Sequence, residues 1–516
     1  MPDSLRWERA WRGSADDGAR RMTGLLLAGA RVVGAEGTAR EPVEVLLEGG
    51  RIAEIGPRVE APGAERVELD GRYLMPGMWD GHVHLGQWAA VSRRLDLSAA
   101  RSAAEAAALV RARVDAGWDA SEVLLGYGFR DALWPDAPSA ELLAAGDVAV
   151  ALVSGDVHTV WSNTALLARL GLPDDAWWLN EQAAFDLNVR LSATDEATLD
   201  RWVADAVRAA SARGVTGIVD LEMSDAVAAW ERRISGGLRG VRVRAGVYPV
   251  DLAAVRARGL RTGDAIPGTG GLATVGWFKL FTDGALNSRT AWCVDEYPGG
   301  GRGLPSYADA ELLAVAREAL AAGLVPTIHA IGDRAVTQAL DTFAALAVPA
   351  SAALPPRIEH AQLLQPADAP RFAALGVHAS VQPEHAMDDR DVADHHWAGR
   401  TGRAFAYRAL LEAGAVLELG SDAPVAPLDP WATLAAAVTR SRDGRPPWHP
   451  EQALPLADAL RASWGGVTGV AVGGPADLAV LDADPHAAEL RTLPVHGTLV
   501  AGEWVSIPPR APTPAG

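Results

Sequence analysis

The chain has 516 residues, of which 49% are hydrophobic, and a formal net charge of −18, so it can bury a large core and exceeds one ordinary domain. The acidic balance excludes non-specific binding to nucleic acid or to an anionic membrane, and no uninterrupted apolar run approaches the roughly 20 residues needed to cross a bilayer. Cys293 is the only cysteine, which excludes an intramolecular disulfide, fits a reducing cytoplasmic setting and reads as a packing residue.

Residues 1–23 mix both charges and lack an apolar stretch, so they read as a tail and not as a signal or transit peptide. From Leu25 short β-rich runs follow one another between glycine turns: Leu25–Leu27, Val43–Glu48 and, after Gly49-Gly50, Arg51–Ile55. A matching set returns at the other end in Ala476–Asp482, Val495–Val500 and Glu503–Val505, with His496 read as structural. Short strands cannot bury a face alone, which is a physical reason for the two ends to meet.

Between the ends, strand-like runs alternate with Ala- and Leu-rich helical stretches such as Asp309–Ala322 and Asp429–Ser441. That alternation predicts an α/β fold, a (β/α)8 TIM-like barrel. Its strands are expected near Leu74–Met78, Thr216–Asp220, Val241–Val247, Gly276–Phe281, Val325–His329, Arg357–His360, Val377–Val381 and Val416–Leu419. Val123–Tyr127 and Val148–Leu152 also look extended, so about 86–210 reads as a long insertion after the first strand. Long excursions over a barrel mouth tend to act as lids or substrate walls.

Chemistry-bearing residues stand where these runs end. In Gly77-Met78-Trp79-Asp80-Gly81-His82-Val83-His84, strand alternation sends His82 and His84 the same way, as two imidazole donors for one metal ion. Lys279 lies inside the apolar run Trp277–Phe281, His329 ends Val325–His329, His360 ends Arg357–His360, and Asp422 follows Val416–Ser421. Each alone has an ordinary reading as a paired lysine, a core histidine or a turn aspartate. In a barrel, however, strand ends remote in sequence converge on one mouth, and five such ends together point to one metal centre.

The order His-x-His, Lys, His, His, Asp resembles the amidohydrolase superfamily with a two-metal centre. The segments Phe278–Ala291, Ile328–Ala335, Arg357–Gln362 and Gly420–Pro424 resemble its N-substituted formamide deformylase-like branch, the amidohydrolase 3 group, and the likeness runs from about Leu25 to Val505. It implies a composite β-sandwich from residues 24–73 and 467–510 beside a barrel over 74–466. It also implies two divalent metal ions, zinc first, held by His82, His84, Lys279, His329, His360 and Asp422, with a carbamate on Lys279 bridging them. Carbamylation needs the neutral amine, and burial beside Phe278 and Phe281 lowers a lysine pKa in that direction. The ordinary alternative is an ion pair of Lys279 with Asp283 or Glu222. The implied reaction is hydrolysis of an amide or formamide-like carbon–nitrogen bond by metal-activated hydroxide, with Asp422 as proton carrier. Ala285 and Asn287 stand where the branch usually carries Ser and Gly, which bears on substrate preference.

Other residues follow from position. His158, in Gly155–Asn163, is a candidate catalytic and substrate-binding group for the oxyanion, or else a surface-loop histidine. His385 follows Gln382-Pro383-Glu384 and is expected at the mouth, while Arg289 and Trp292 either line the pocket or pack. The same centre could serve esters, lactones or phosphoesters. A ring deaminase with one metal typically carries a glutamate three residues after the histidine of the fifth strand, where this chain has Gly332. A catalytically inactive regulatory barrel would have lost ligands, and all six are present. The expected partner is a small-molecule substrate, with a homodimer as the candidate assembly and no nucleic acid or membrane.

Overall fold

The computed structural model describes residues 24–507 apart from 130, 132–133, 155–158, 193 and 350; the expected tail lies outside them. Eight parallel strands pair in chain order: β1 Met78–Val83, β2 Val215–Asp220, β3 Arg242–Val247, β4 Ala273–Phe281, β5 Pro326–Ala330, β6 Arg357–His360, β7 His378–Val381 and β8 Leu417–Leu419. The ring closes just beyond β8, where Asp422 N–H donates to the His82 carbonyl at 2.7 Å and His84 N–H to that of Ala423 at 2.8 Å. This seam requires glycine, because a Cβ on Gly420 would lie 2.6 Å from the His82 nitrogen and one on Gly81 2.9 Å from the Leu419 carbonyl oxygen.

Period-two alternation explains how each strand serves two cores. On β4, Phe278 and Leu280 join the outer core with Ile328, Ile358 and the helical residues Leu312, Ala316 and Leu340. Trp277 and Lys279 have the opposite parity and face the barrel axis, where Trp277 meets the Arg357 guanidinium. The outer core is closed by helices such as Asp309–Ala321, Asp333–Leu346 and Pro430–Thr439. The barrel architecture is therefore the one predicted.

The expected first barrel strand, Leu74–Met78, is corrected: Tyr73–Pro76 pairs with Leu478–Leu481 and with Arg31–Val32 in the terminal sheet, and β1 begins at Met78. The apolar run is continuous in sequence, but the chain changes sheets at Gly77. Its N–H donates to the Asp477 carbonyl at 2.9 Å, and a Cβ there would overlap Thr216 at 2.1 Å. Both chain ends do build one nine-stranded sheet. Its longest strand, Leu25–Gly34, pairs with Val43–Glu48 and Glu65–Glu68 at one end and with Tyr73–Pro76 at the other. The register breaks between Leu27 and Ala30, where Gly29 takes φ 71°. The two halves enclose a shared core of Leu27, Val45, Leu74, Leu478, Val480 and Leu499.

Between β1 and β2 the chain builds a five-stranded sheet from Leu95–Asp96, Leu124–Phe129, Val150–Ser154, Thr159–Ser162 and Trp178–Asn180. This sheet occupies the expected insertion and has its own aromatic core, with Phe129 and Trp161 rings 6.4 Å apart. Among the described residues, no helix is long and apolar enough to cross a membrane.

Candidate active site

The strand ends expected to converge do so. His82 Nε2 and His84 Nε2 each lie 3.3 Å from Asp422 Oδ1, and His385 Nε2 lies 3.6 Å from Asp422 Oδ2. The His360 ring is 5.0 Å from that of His82, 4.5 Å from that of His329 and 5.8 Å from that of His385, which it stacks on. His385 comes from the short helix Pro383–Asp388 after β7, and its Nδ1 is 3.2 Å from Gln362 Nε2.

Simple alternation fails on β6, because consecutive Glu359 and His360 should face opposite ways, yet both belong to the barrel interior. The backbone resolves it: His360 takes φ 74°, and Asp422 likewise takes φ 57°. Left-handed conformations are costly for residues with a Cβ and concentrate at functional sites. Here they turn two side chains into one mouth.

Burial dominates the electrostatics. It lowers His82 to about 4, His329 to about 3 and His360 well below the ordinary histidine value, so these imidazoles are neutral donors at neutral pH. Burial also lowers Lys279 to about 8. For Asp422 burial acts upward, but His82, His84, His360 and His385 outweigh it and hold the carboxyl well below the usual range. Asp283, behind His329, is pushed up to about 7 by burial although it accepts N–H bonds from Trp292, Ile331 and Gly332.

These residues fit a divalent metal. One ligand atom each from His82, His360 and Asp422 lie within 4.8 Å of one another. The Lys279 amine, His84 Nδ1 and His360 Nδ1 are buried without a hydrogen-bond partner. The ion-pair alternative for Lys279 is not realised, since Asp283 serves the three backbone donors and Glu222 accepts from Gln87 at 2.9 Å through both oxygens. A neutral His82 also has one proton for two carboxylates, Glu359 at 2.9 Å and Asp422 at 3.3 Å. A cation resolves that mismatch.

Other expectations fare differently. His158 lies outside the described residues. Arg289 is exposed on the loop after β4. Trp292 is half-buried, with the Arg334 guanidinium 5.1 Å over its ring. Among the described residues, neither makes a hydrogen bond, ion pair or ring contact with the six expected ligands or His385, although the Trp292 N–H donates to Asp283 behind His329. Sequence reasoning missed Glu359, Arg357 and Gln382, whose Nε2 is 3.4 Å from His82 Nδ1. Arg357 and Glu359 share one face of β6 on either side of Ile358, a pattern that solvent-facing charges give as well.

A parallel eight-stranded barrel with histidines, a lysine and an aspartate gathered at its carboxyl end defines a metal-dependent hydrolase architecture. The chain belongs to the amidohydrolase family, whose model matches residues 65–506, and is accordingly a hydrolytic enzyme acting on non-peptide carbon–nitrogen bonds. It is 26% identical over 514 residues to YtcJ of Bacillus subtilis (strain 168), covering 88% of this chain and 93% of YtcJ. It is also 26% identical over 527 residues to the N-substituted formamide deformylase of Arthrobacter pascens, covering 89% of this chain and 94% of that enzyme. In three dimensions it is similar to the crystal structure of an uncharacterized metal-dependent hydrolase from Pyrococcus horikoshii OT3, with a TM-score of 0.76, 24% identity, and coverage of 91% of this chain and 99% of the other.

Proposed function

We propose that this enzyme hydrolyses an amide or N-substituted formamide at a centre of two divalent ions, zinc first, held by His82, His84, Lys279, His329, His360 and Asp422. The observation that carries the reading is the convergence of His82, His360 and Asp422 on one point, beside a buried Lys279 amine without a partner. Likeness to a formamide deformylase along nearly its whole length supports the substrate class. Lys279 joins as a carbamate: its nitrogen adds to the carbon of carbon dioxide and releases one proton, so a buried amine becomes an anion suited to dications.

When bound, the ions supply Lewis acidity at the carbonyl and lower the pKa of water towards ~7. Asp422 takes the proton of the attacking water and returns it to the leaving nitrogen as the carbon–nitrogen bond breaks, giving a carboxylic acid and an amine. His385, 3.6 Å from Asp422 Oδ2, is the substrate-facing group, with Arg289 and Trp292 as the outer wall. The single cysteine supports work in the cytoplasm.

Protein purified without chelator is expected to carry close to two divalent ions per chain by elemental analysis and to cleave N-formyl or N-acyl amines in a panel that also holds lactones and phosphotriesters. Absence of stoichiometric metal, with no activation on adding it back, sinks the metal centre. Faster turnover of lactones or phosphotriesters replaces the carbon–nitrogen substrate class.

A further inference from the structure

Glu359 is a fully buried carboxylate inside the barrel, next to the ligand set but not in it. Its two oxygens have separate partners. Oε1 accepts from Arg357 Nη2 at 2.5 Å, Arg357 Nε at 3.1 Å and Thr327 Oγ1 at 2.5 Å. Oε2 faces His82 Nδ1 at 2.9 Å. Arg357 is itself fixed, donating to Glu418 Oε2 and to the Gly81 carbonyl at 2.9 Å each, with its guanidinium 4.1 Å over the Trp277 ring. The clamp is therefore rigid and Oε1 is saturated.

An ionised carboxylate only accepts hydrogen bonds, so the ring nitrogen facing it must carry the proton. Neutral imidazole has a single N–H, so a proton on Nδ1 leaves Nε2 bare. Gln382 Nε2 also approaches Nδ1, at 3.4 Å, and would prefer a bare Nδ1; the shorter, charge-assisted contact to Glu359 prevails. His82 Nε2 then points its lone pair at Asp422 Oδ1, an arrangement that attracts a cation.

We propose that Glu359, clamped by Arg357 and Thr327, is a positioning residue that holds His82 in the Nδ1–H tautomer and so presents Nε2 to a divalent cation. The cation rests on the metal-centre reading above; the tautomer does not. The geometry makes Glu359→Gln unusually informative. Arg357 has only donors, so the glutamine carbonyl must turn towards it and Thr327, which leaves the amide N–H2 facing His82 Nδ1. Nδ1 must then accept, the proton moves to Nε2, and the metal-binding nitrogen is blocked by a change of almost no volume.

The test uses the full-length protein, labelled with 15N-histidine and stripped of metal, read by the 15N shifts of His82, together with Zn2+ affinity by chelator competition. Wild type and Glu359→Asp are expected to show Nδ1–H. Glu359→Gln is expected to show Nε2–H and to bind Zn2+ about 10- to 100-fold more weakly. A wild-type ring protonated at Nε2, or a glutamine variant with Nδ1–H and undiminished affinity, overturns the proposal. The wild-type spectrum alone decides the tautomer if the glutamine variant does not fold. A wild-type Nδ1–H ring in a protein that binds no Zn2+ supports the hold of Glu359 on His82 while overturning the metal-centre reading.

Discussion

The mouth and the floor of the barrel are built from the same strands, yet they treat charge in opposite ways. At the floor, Glu418 accepts from Arg357 at 2.9 Å and from His378 at 2.8 Å, and Arg244 lies 4.4 Å over the Trp79 ring while donating to the Gly465 carbonyl. At the mouth, further along the same strands, the Lys279 amine, His84 Nδ1, His360 Nδ1 and Gln382 Oε1 have no partner. Each unpartnered buried polar atom costs about 1–3 kcal/mol, so the mouth is not arranged for stability of the empty protein. Burial of a charge does not mark a site, and neither does a single buried atom without a partner; a cluster of metal-ligating groups left without partners does.

The sharpest way to break that comparison is Lys279→Met. Methionine keeps most of the lysine's volume and removes an unsatisfied amine, so the metal-free protein should be as stable as wild type or more so. Metal content and turnover should fall together, turnover by at least roughly 1000-fold, about 4 kcal/mol. Elemental analysis, rates and thermal unfolding of the metal-free form measure the three. A variant that was purified with its metals and whose metal-free form was destabilised would show that Lys279 is a structural residue like those of the floor.

The floor is probed through Glu418. Burial acts upward on its carboxyl, but Arg357 and His378 outweigh it and lower the pKa from 4.5 to about 2. A depressed carboxylate pKa means that the unfolded chain binds the proton first. The stabilisation is therefore complete above about 4.5 and is lost as pH falls towards about 2, on the order of 3 kcal/mol. Denaturant unfolding of metal-free protein at pH 6 and pH 3 should show Glu418→Gln losing less stability on acidification than wild type. Equal losses would mean that the ion pairs of the floor contribute nothing net.

The sequence exposes the mouth far better than the floor. A histidine, lysine or aspartate closing an apolar run stands out, and barrel geometry turns five such endings into one site. His360 was legible only as a strand ending; alternation opposes its placement, and its left-handed backbone is not encoded in any residue type. Arg244, Arg357 and Glu418 alternate with apolar residues as solvent-facing charges do, and nothing in the pattern says that the solvent side of these strands is the inside of a barrel. The start of β1 was misplaced for a related reason: Leu74–Met78 is uniformly apolar, and only the crowding of Gly77 against Thr216 shows that two sheets share it.

The rim of the mouth offers the smallest effect and the finest division. Asn287 Nδ2 donates to Asp389 Oδ1 at 2.9 Å, joining the loop after β4 to the end of the helix that carries His385. Asp389 N–H in turn donates to the His385 carbonyl at 2.8 Å. An exposed bond of this kind is worth about 1 kcal/mol net, and it touches no proposed ligand. Asn287→Ala should therefore raise KM for bulky substrates about fivefold, with kcat, metal content and metal-free stability nearly unchanged. Steady-state kinetics on a short and a long N-acyl amine separate the outcomes. A loss of metal, or a fall in kcat of two orders of magnitude, would show that the rim supports the ligand layer directly, and the mouth would then have to be treated as one cooperative unit from Asn287 down to Lys279.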